Sequence, residues 1–409
     1  MGMLRALGGY VMKSVVRILS ILLMVAVWLR IDWLLGLRSL KRQRTASVYP
    51  WRKGKIDFFD DGVAWMKSLE LDITEAEESI CLLFYIIEPD EVGRRIFTLL
   101  KDRVKDGVRV RVLCDALGSR KMKPWLKHLK EAGIEIELSR PVLFKGSLFS
   151  IQRRNHRKIA VFDERVSHIG GFNIGREYVN LDPVLSPWRD YHLRIEGESV
   201  GDALKEFEID WNREFNISEQ ASSPRQNTFK GHQKHQIIPS EPVNMEGFIL
   251  DLFDQAEESI FIGTPYFIPT GTLFNSLKQK IRENIKVTIM VPGTPDHALV
   301  QPASYHFLRE LIDLGAEVHQ FEHGFYHAKV ILIDDKLCDI GTTNFDQRSL
   351  VINDEINVLT SDKEIIGKVI TSINNDLHHA VRVQKKDIQP NGPVDASAEL
   401  LARSISHLL

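Results

Sequence analysis

Three cysteines in 409 residues, Cys81, Cys114 and Cys338, lie far apart, which excludes a disulfide framework and any Cys-x2-Cys metal knuckle. Each sits in or beside an apolar run, so packed, reduced thiols are expected. An excess of one charge is missing too: 53 basic against 55 acidic residues leave a net charge of −2, without the basic footprint of a dedicated nucleic-acid binder. No uncharged apolar run reaches the roughly 20 residues that span a bilayer. The amino-terminal one, Ile18 to Leu29, stops at twelve. No small-x-small cleavage pattern follows it, and Arg30 stands where one would be needed, which disfavours a cleaved signal peptide. What the chain does have is 44% hydrophobic residues, ample for large cores, and length for more than one domain.

Extended through Trp33-Leu34-Leu35, the amino-terminal run becomes long enough for a membrane anchor. Arg17, Arg30 and Asp32 fall towards its two sides, and Trp28 and Trp33 suit the interface. An interfacial helix is the alternative. From Arg38 to Lys55 come seven basic residues and no acidic one, against Arg5, Lys13 and Arg17 before the run, which places the body in the cytoplasm by the positive-inside rule. The same basic stretch should attract anionic lipid.

The remainder reads twice. Ala76-Glu77-Glu78-Ser79-Ile80 recurs as Ala256-Glu257-Glu258-Ser259-Ile260, each followed by an apolar strand. An amphipathic helix comes next in both copies, with apolar positions Val92, Ile96, Leu99, Leu100 and Val104, then Leu273, Phe274, Leu277 and Ile281. Short β-branched runs, a further helix ending at Gly133 or Gly315, and another strand complete each unit. Alternating strands and helices imply α/β layers with a mixed sheet in each of two lobes. The expected division is an anchor with a basic segment over 1–55, a first half over 56–219, a polar linker over 220–244, a second half over 245–390 and a tail over 391–409.

Chemistry-bearing residues occupy matching places. Asn155-His156-Arg157-Lys158 opens an apolar run ending at Asp163, with Gly170-Gly171-Phe172-Asn173 after it. Tyr326-His327-Ala328-Lys329 opens one ending at Asp334, with Gly341-Thr342-Thr343-Asn344 after it. Residues two apart on a strand share a face, so each His and Lys aim at one spot, and each asparagine falls 17 residues after its histidine. Two copies of His-x-Lys-x4-Asp at equal spacing resemble the phospholipase D superfamily with its paired HKD motifs. Within it the words Trp188-Arg189-Asp190-Tyr191, Asp210-Trp211 and Pro265-Tyr266-Phe267-Ile268-Pro269 are similar to bacterial cardiolipin synthases. The resemblance implies a duplicated α/β fold of two αβα lobes, with one active site at their pseudo-twofold interface, behind the amino-terminal membrane anchor.

An anionic phosphodiester repels a nucleophile until its charge is offset. Lys158, Lys329, Asn173 and Asn344 are therefore the expected donors to the phosphate oxygens. One imidazole can form a covalent phosphoryl adduct while the other protonates the departing alkoxide and later deprotonates the acceptor. The spacing leaves open which one attacks; the resemblance implies His156 as nucleophile and His327 as acid and base. It also supports Asp190 and Glu355 as carboxylates orienting the histidines. The motif puts Asp163 and Asp334 in the catalytic set, whereas strand parity turns them away from His and Lys, as structural anchors. Lysine beside each histidine repels a divalent cation, so no metal and no other cofactor is expected.

The first copy carries extra chain between Leu138 and His156, because the offset of 180 residues at the repeated five-residue word falls to 171 at the histidines. Phe144 and Phe149 in that insert suit a membrane-dipping loop, with core packing as the alternative. The function implied is conversion of two phosphatidylglycerol molecules to cardiolipin and glycerol, with phosphatidylglycerol and anionic membrane lipids as partners and nucleic acid not expected. Hydrolytic phospholipase D, a nuclease of the same fold and an inactive lipid-binding protein are the alternatives.

Overall fold

The computed structural model describes residues 2–43, 49–143, 146–215, 217, 229, 231–240, 244–297 and 299–406. Arg44, Phe144, Lys145 and much of the expected linker lie outside the described residues. The amino-terminal part carries helix α1 (Gly2–Gln43). The first half adds strands β1 (Arg52–Phe59), β2 (Ser79–Phe84), β3 (Arg109–Asp115), β4 (Glu135–Ser139), β5 (Ile159–Phe162), β6 (Val166–Gly170), β7 (Trp188–Arg189) and β8 (His192–Gly197). Its helices are α2 (Gly62–Glu75), α3 (Glu91–Lys105), α4 (Leu126–Glu131), α5 (Ser147–Gln152) and α6 (Val200–Phe215). The second half supplies β9 (Gln233–Pro239), β10 (Ser259–Gly263), β11 (Lys286–Pro292), β12 (Glu317–Phe321), β13 (Phe325–Tyr326), β14 (Val330–Ile333), β15 (Leu337–Gly341), β16 (Ile356–Thr360) and β17 (Ala380–Arg382). Its helices are α7 (Met245–Asp254), α8 (Gly271–Arg282), α9 (Val300–Leu314), α10 (Gln347–Val351), α11 (Lys363–His378) and α12 (Pro393–Ser404).

Local chemistry accounts for the elements. In α3, Asp90 caps the amino end by accepting from Val92 and Gly93 N–H, and Val92, Ile96 and Leu100 bury one helical face. Gly133 and Gly315, both at positive φ, close α4 and α9. The hairpins β5–β6 and β14–β15 turn through two left-handed residues each, Asp163 and Glu164, then Asp334 and Asp335, the geometry that matches the right-handed strand twist.

Among the described residues, fifteen strands form one mixed sheet, ordered β17-β12-β11-β10-β14-β15-β16-β9-β1-β8-β6-β5-β2-β3-β4. Apart from the edge strand β17, which has no counterpart, the order is the same read outward from either side of the β1–β9 pair, which joins antiparallel with Arg52 opposite His235, so the pseudo-twofold passes there. One face carries α6 and α11 over a core shared by both halves, with Phe207 and Trp211 beside Ile366 and Val369. The opposite face has a separate core for each half, under α2 and α3 and under α7, α8 and α9.

Three expected boundaries need correction. Gln233–Pro239, expected as linker, is the strand next to the axis. Its polar composition hides this because the inward side chains are satisfied: Gln233 Oε1 accepts from Ile56 N–H at 2.5 Å and His235 Nε2 meets Ser199 Oγ at 2.6 Å. Arg52, Lys53 and Lys55, expected in the basic juxtamembrane segment, belong to β1, and Arg52 pairs with Asp202 at 2.9 Å. The expected tail holds α12, which seats the fully buried Ala402 against Ala303 and Ile268 and pairs Glu399 with Arg309.

Helix α1 has 42 residues, about 63 Å at 1.5 Å per residue, and its stretch Leu19–Leu40 is long and apolar enough to cross a membrane. Its last turns dock on α5. Asp32 Oδ2 accepts from Phe149 N–H at 3.0 Å, Trp33 meets the Phe149 ring edge-on at 5.9 Å, and Leu40 and Ile352 close the cluster. Gly36 faces the ring so closely that a Cβ there would lie 2.1 Å from Phe149 Cγ. Phe149, expected to dip into the membrane, is therefore buried against the anchor. Val142, Leu143 and Ile151 of the same insert are exposed.

Candidate active site

Each motif histidine is delivered by a strand end docked on the other half. Asn155 bridges Asp354, with His156 N–H donating to Asp354 O at 2.9 Å and Asp354 N–H to Arg154 O at 3.0 Å. The next residue on each side is then His156 and Glu355, and His156 Nδ1 lies 2.9 Å from Glu355 Oε2. Across the axis, β13 pairs with β7, and His327 N–H donates to Arg189 O at 2.7 Å. The next residue on each side is His327 and Asp190, with Nδ1 to Oδ2 at 2.5 Å. The carboxylates thus orient histidines crosswise, each from the opposite half. Gly171 makes room for this, since a Cβ there would sit 1.9 Å from Asp190 Oδ1.

Both histidines line one cleft of about 850 Å³, together with Asn173 and Asn344. Asn173 Oδ1 accepts from Ile86 N–H at 3.1 Å, while the buried Asn344 Oδ1 has no partner. Lys158 and Lys329 stand behind the rings. Lys158 Nζ donates to His156 O at 2.9 Å; Lys329 Nζ donates to His327 O and lies 3.4 Å from Asp190 Oδ2. Their ammonium charges therefore reach the cleft through the histidines rather than at its surface.

Burial dominates the electrostatics. It pushes the His156 ring down to about 4 against the pull of Glu355, and His327 to about 3 with help from the Lys329 charge. The same desolvation lowers Lys158 to about 7 and Lys329 to about 8. For Glu355 burial opposes ionisation, but His156 and Lys158 hold its carboxyl below the ordinary range; Lys329 and His327 do the same for Asp190. At neutral pH the pairs are carboxylate with neutral imidazole; His156 Nδ1 is engaged by Glu355, and His327 Nδ1 by Asp190 and by Lys329 Nζ at 2.6 Å, which leaves Nε2 of each ring for the cleft.

Asp163 and Asp334 are not in the cleft. Asp163 accepts the N–H groups of Glu77, Glu78 and Ser79 at 2.7 to 2.8 Å. Asp334 holds those of Glu257, Glu258 and Ser259 over the same distances. The catalytic role drawn from the motif is corrected to the anchoring one, because each aspartate opens the left-handed turn of its hairpin, past the end of the strand, where its carboxylate meets the repeated Ala-Glu-Glu-Ser backbone. Sequence reasoning missed Tyr85, whose ring packs edge-on against His156 at 4.9 Å, and Arg348 on the cleft wall. Trp188, 4.8 Å from His327, carried a signal in standing two residues before Asp190.

A family model described as cardiolipin synthase, PLD-like domain, matches residues 69–211 and again 249–377. The minor cardiolipin synthase of Bacillus subtilis (strain 168) is 33% identical over 97% of this chain and 100% of its own length. The major cardiolipin synthase of the same organism is 36% identical over 79% of this chain and 68% of its own length. Among solved structures, the phosphatidylserine synthase of Haemophilus influenzae Rd KW20 superposes with a TM-score of 0.70 at 15% identity, covering 91% of this chain and 99% of that one, a likeness of fold. With its two halves each filling the family model and a relative matched end to end, the chain belongs to the cardiolipin synthase family of phospholipase D-like proteins.

Proposed function

We propose that the chain is a membrane-associated phosphatidyltransferase that joins two phosphatidylglycerol molecules into cardiolipin and releases glycerol. The observation that carries this reading is the crosswise docking, which puts two carboxylate-backed histidines into one cleft from opposite halves. His156 Nε2 attacks phosphorus, a P–N bond forms, the P–O bond to the headgroup glycerol breaks, and His327 gives the leaving oxygen its proton. The hydroxyl of a second phosphatidylglycerol then attacks the adduct, returns its proton to His327 and frees His156. Lys158, Lys329, Asn173 and Asn344 stabilise the phosphate oxygens, and Asp190 and Glu355 position the rings. The arriving diester brings negative charge against both imidazoles, which raises the proton affinity of His327 so that it takes up from solvent the proton it then gives to the leaving oxygen.

The end-to-end likeness to a cardiolipin synthase supports the substrate class, and α1 supports attachment to the membrane. The excess of basic residues after the apolar run favours a body on the cytoplasmic side. Ile18 to Ile31, the apolar stretch ahead of the docked turns, spans only about 21 Å against a hydrocarbon core of roughly 30 Å. The docked turns, with exposed Val142, Leu143 and Ile151, therefore lie at the membrane surface on this reading. Purified full-length protein incubated with phosphatidylglycerol vesicles and EDTA tests it by mass spectrometry, beside His156→Ala and His327→Ala. Equal amounts of cardiolipin and glycerol from the unaltered chain alone are expected. Phosphatidic acid instead would make it a hydrolase, and no lipid turnover would refute the reading.

A further inference from the structure

The cleft is built by a near twofold repeat, with acids and bases on both of its sides and Glu88 paired with Lys121 at 2.9 Å, yet at one pair of equivalent positions the charges are opposite. Glu88 N–H donates to Ile174 O and Ile268 N–H to Phe345 O, both at 2.9 Å, as counterparts across the axis. This makes Glu88 equivalent to Ile268 and, three residues past Ile174 and Phe345, makes Glu177 equivalent to Arg348. Glu88, Glu177 and Arg348 all line the cleft, so a cation on one side stands where the other side has an acid.

Arg348 is only partly committed. Its Nη2 donates to Gln152 O at 3.2 Å, while its Nε is buried with no partner. Its charge acts on Tyr85, where it offsets part of the upward push from burial and Asp115, and the Tyr85 ring rests on His156. Arg348 therefore stands on the His156 side. The neighbouring carboxyl of Asp346 is engaged in capping α10 through Ser349 N–H at 2.8 Å.

Resting on the phosphatidyltransferase reading, we propose that Arg348 binds the phosphate of the second lipid, the one whose hydroxyl attacks, and that Glu177 repels an anion from the equivalent place. In that step the acceptor oxygen forms a bond to phosphorus, the P–N bond to His156 breaks with its electron pair returning to the ring, and the proton passes to His327. The acceptor carries its own phosphodiester three carbons from the attacking hydroxyl, so a second anion must be held in the same cleft. Lys158 and Lys329 are buried behind the histidines and serve the reacting phosphate. The guanidinium of Arg348, with an unused N–H in its planar fork, has the right chemistry for a second one.

The test compares two acceptors that share one adduct. Full-length protein in vesicles of phosphatidylglycerol and phosphatidylcholine is assayed for cardiolipin formation, and for exchange of labelled free glycerol into phosphatidylglycerol, whose acceptor is uncharged. Arg348→Gln should lower cardiolipin formation about tenfold or more and leave glycerol exchange within about twofold. Arg348→Lys, which keeps the charge and loses the fork, should lower the same ratio about threefold. An unchanged ratio in both variants, whether both rates fall together or neither moves, overturns the second-phosphate site alone. An unaltered chain that neither makes cardiolipin nor exchanges glycerol overturns the phosphatidyltransferase reading, and this site with it.

Discussion

At the scale of single residues, the proposed reaction asks the two imidazoles to start one cycle as nucleophile and proton donor, although burial leaves both neutral. Ordinary imidazole chemistry would produce a loss of activity below about pH 6.5 as the nucleophile takes up a proton. Here His156 is held down to about 4, so it remains unprotonated across the whole range in which the protein can be assayed. The lysines work in the other direction. Lowered by desolvation to about 7 and 8, Lys158 and Lys329 lose positive charge as pH rises through neutrality, and with it the offset for the phosphate. Because His327, held down to about 3, must take up the proton it donates, the expected profile of kcat/KM, which reports the free enzyme, falls steadily as pH rises from 5, and more steeply above about 7 as the lysines discharge. A maximum near pH 6.5 would show that the rings are not desolvated as described, and an unchanged slope from pH 5 to 9.5 would say the same of the lysines.

At the scale of elements, the same four-letter turn, Ala-Glu-Glu-Ser, is used twice to seat a hairpin. Three backbone N–H groups at the start of β2 converge on Asp163, and three at the start of β10 on Asp334. Removing either carboxylate leaves those donors without their partner, so Asp163→Ala and Asp334→Ala should each lower unfolding stability by about 2 kcal/mol. Denaturant titration reads that loss. Turnover by the folded fraction should stay within about fivefold, whereas a drop comparable to that of His156→Ala would restore these aspartates to the chemistry. The helices that follow each repeated word were legible in the sequence, because apolar spacing and glycine stops are local signals; the direction of the aspartates follows from left-handed hairpin turns that strand parity does not describe. β9 was not legible. Gln233, Lys234, His235 and Gln236 read as loop by composition, and only backbone pairing with β1 and β16 makes them a strand, with the Gln233 and His235 side chains satisfied by Ile56 and Ser199. The crosswise pairing was hidden for the same reason: Asp190 and Glu355 could be picked out as histidine partners, but which histidine each takes depends on the Asn155–Asp354 bridge and the β7–β13 pair, contacts between segments far apart in the chain.

At the scale of the whole molecule, the anchor is not a tether. Asp32, Trp33, Gly36 and Leu40 commit the end of α1 to the insert, Gln152 at the far end of α5 receives the Arg348 guanidinium, and Ile352 of the same cluster stands three residues before Glu355. The cleft is thereby held in a fixed attitude to α1, which on the proposed function is the helix that meets the membrane, and this matters only when the substrate's own orientation is fixed by a bilayer. Gly36 is the place to break this coupling, since any side chain there collides with the Phe149 ring. Gly36→Val should lower cardiolipin formation in vesicles about tenfold by undocking the body, yet leave a soluble short-chain phosphatidylglycerol transferred at the unaltered rate. Removing the obstacle as well, in Gly36→Val with Phe149→Ala, should recover most of the vesicle activity, because the valine then fills space that the ring has left. If Gly36→Val slows both substrates alike, the dock stabilises the catalytic body itself; if it slows neither, the attitude of the cleft is set by the exposed Val142, Leu143 and Ile151 at the membrane surface and not by α1.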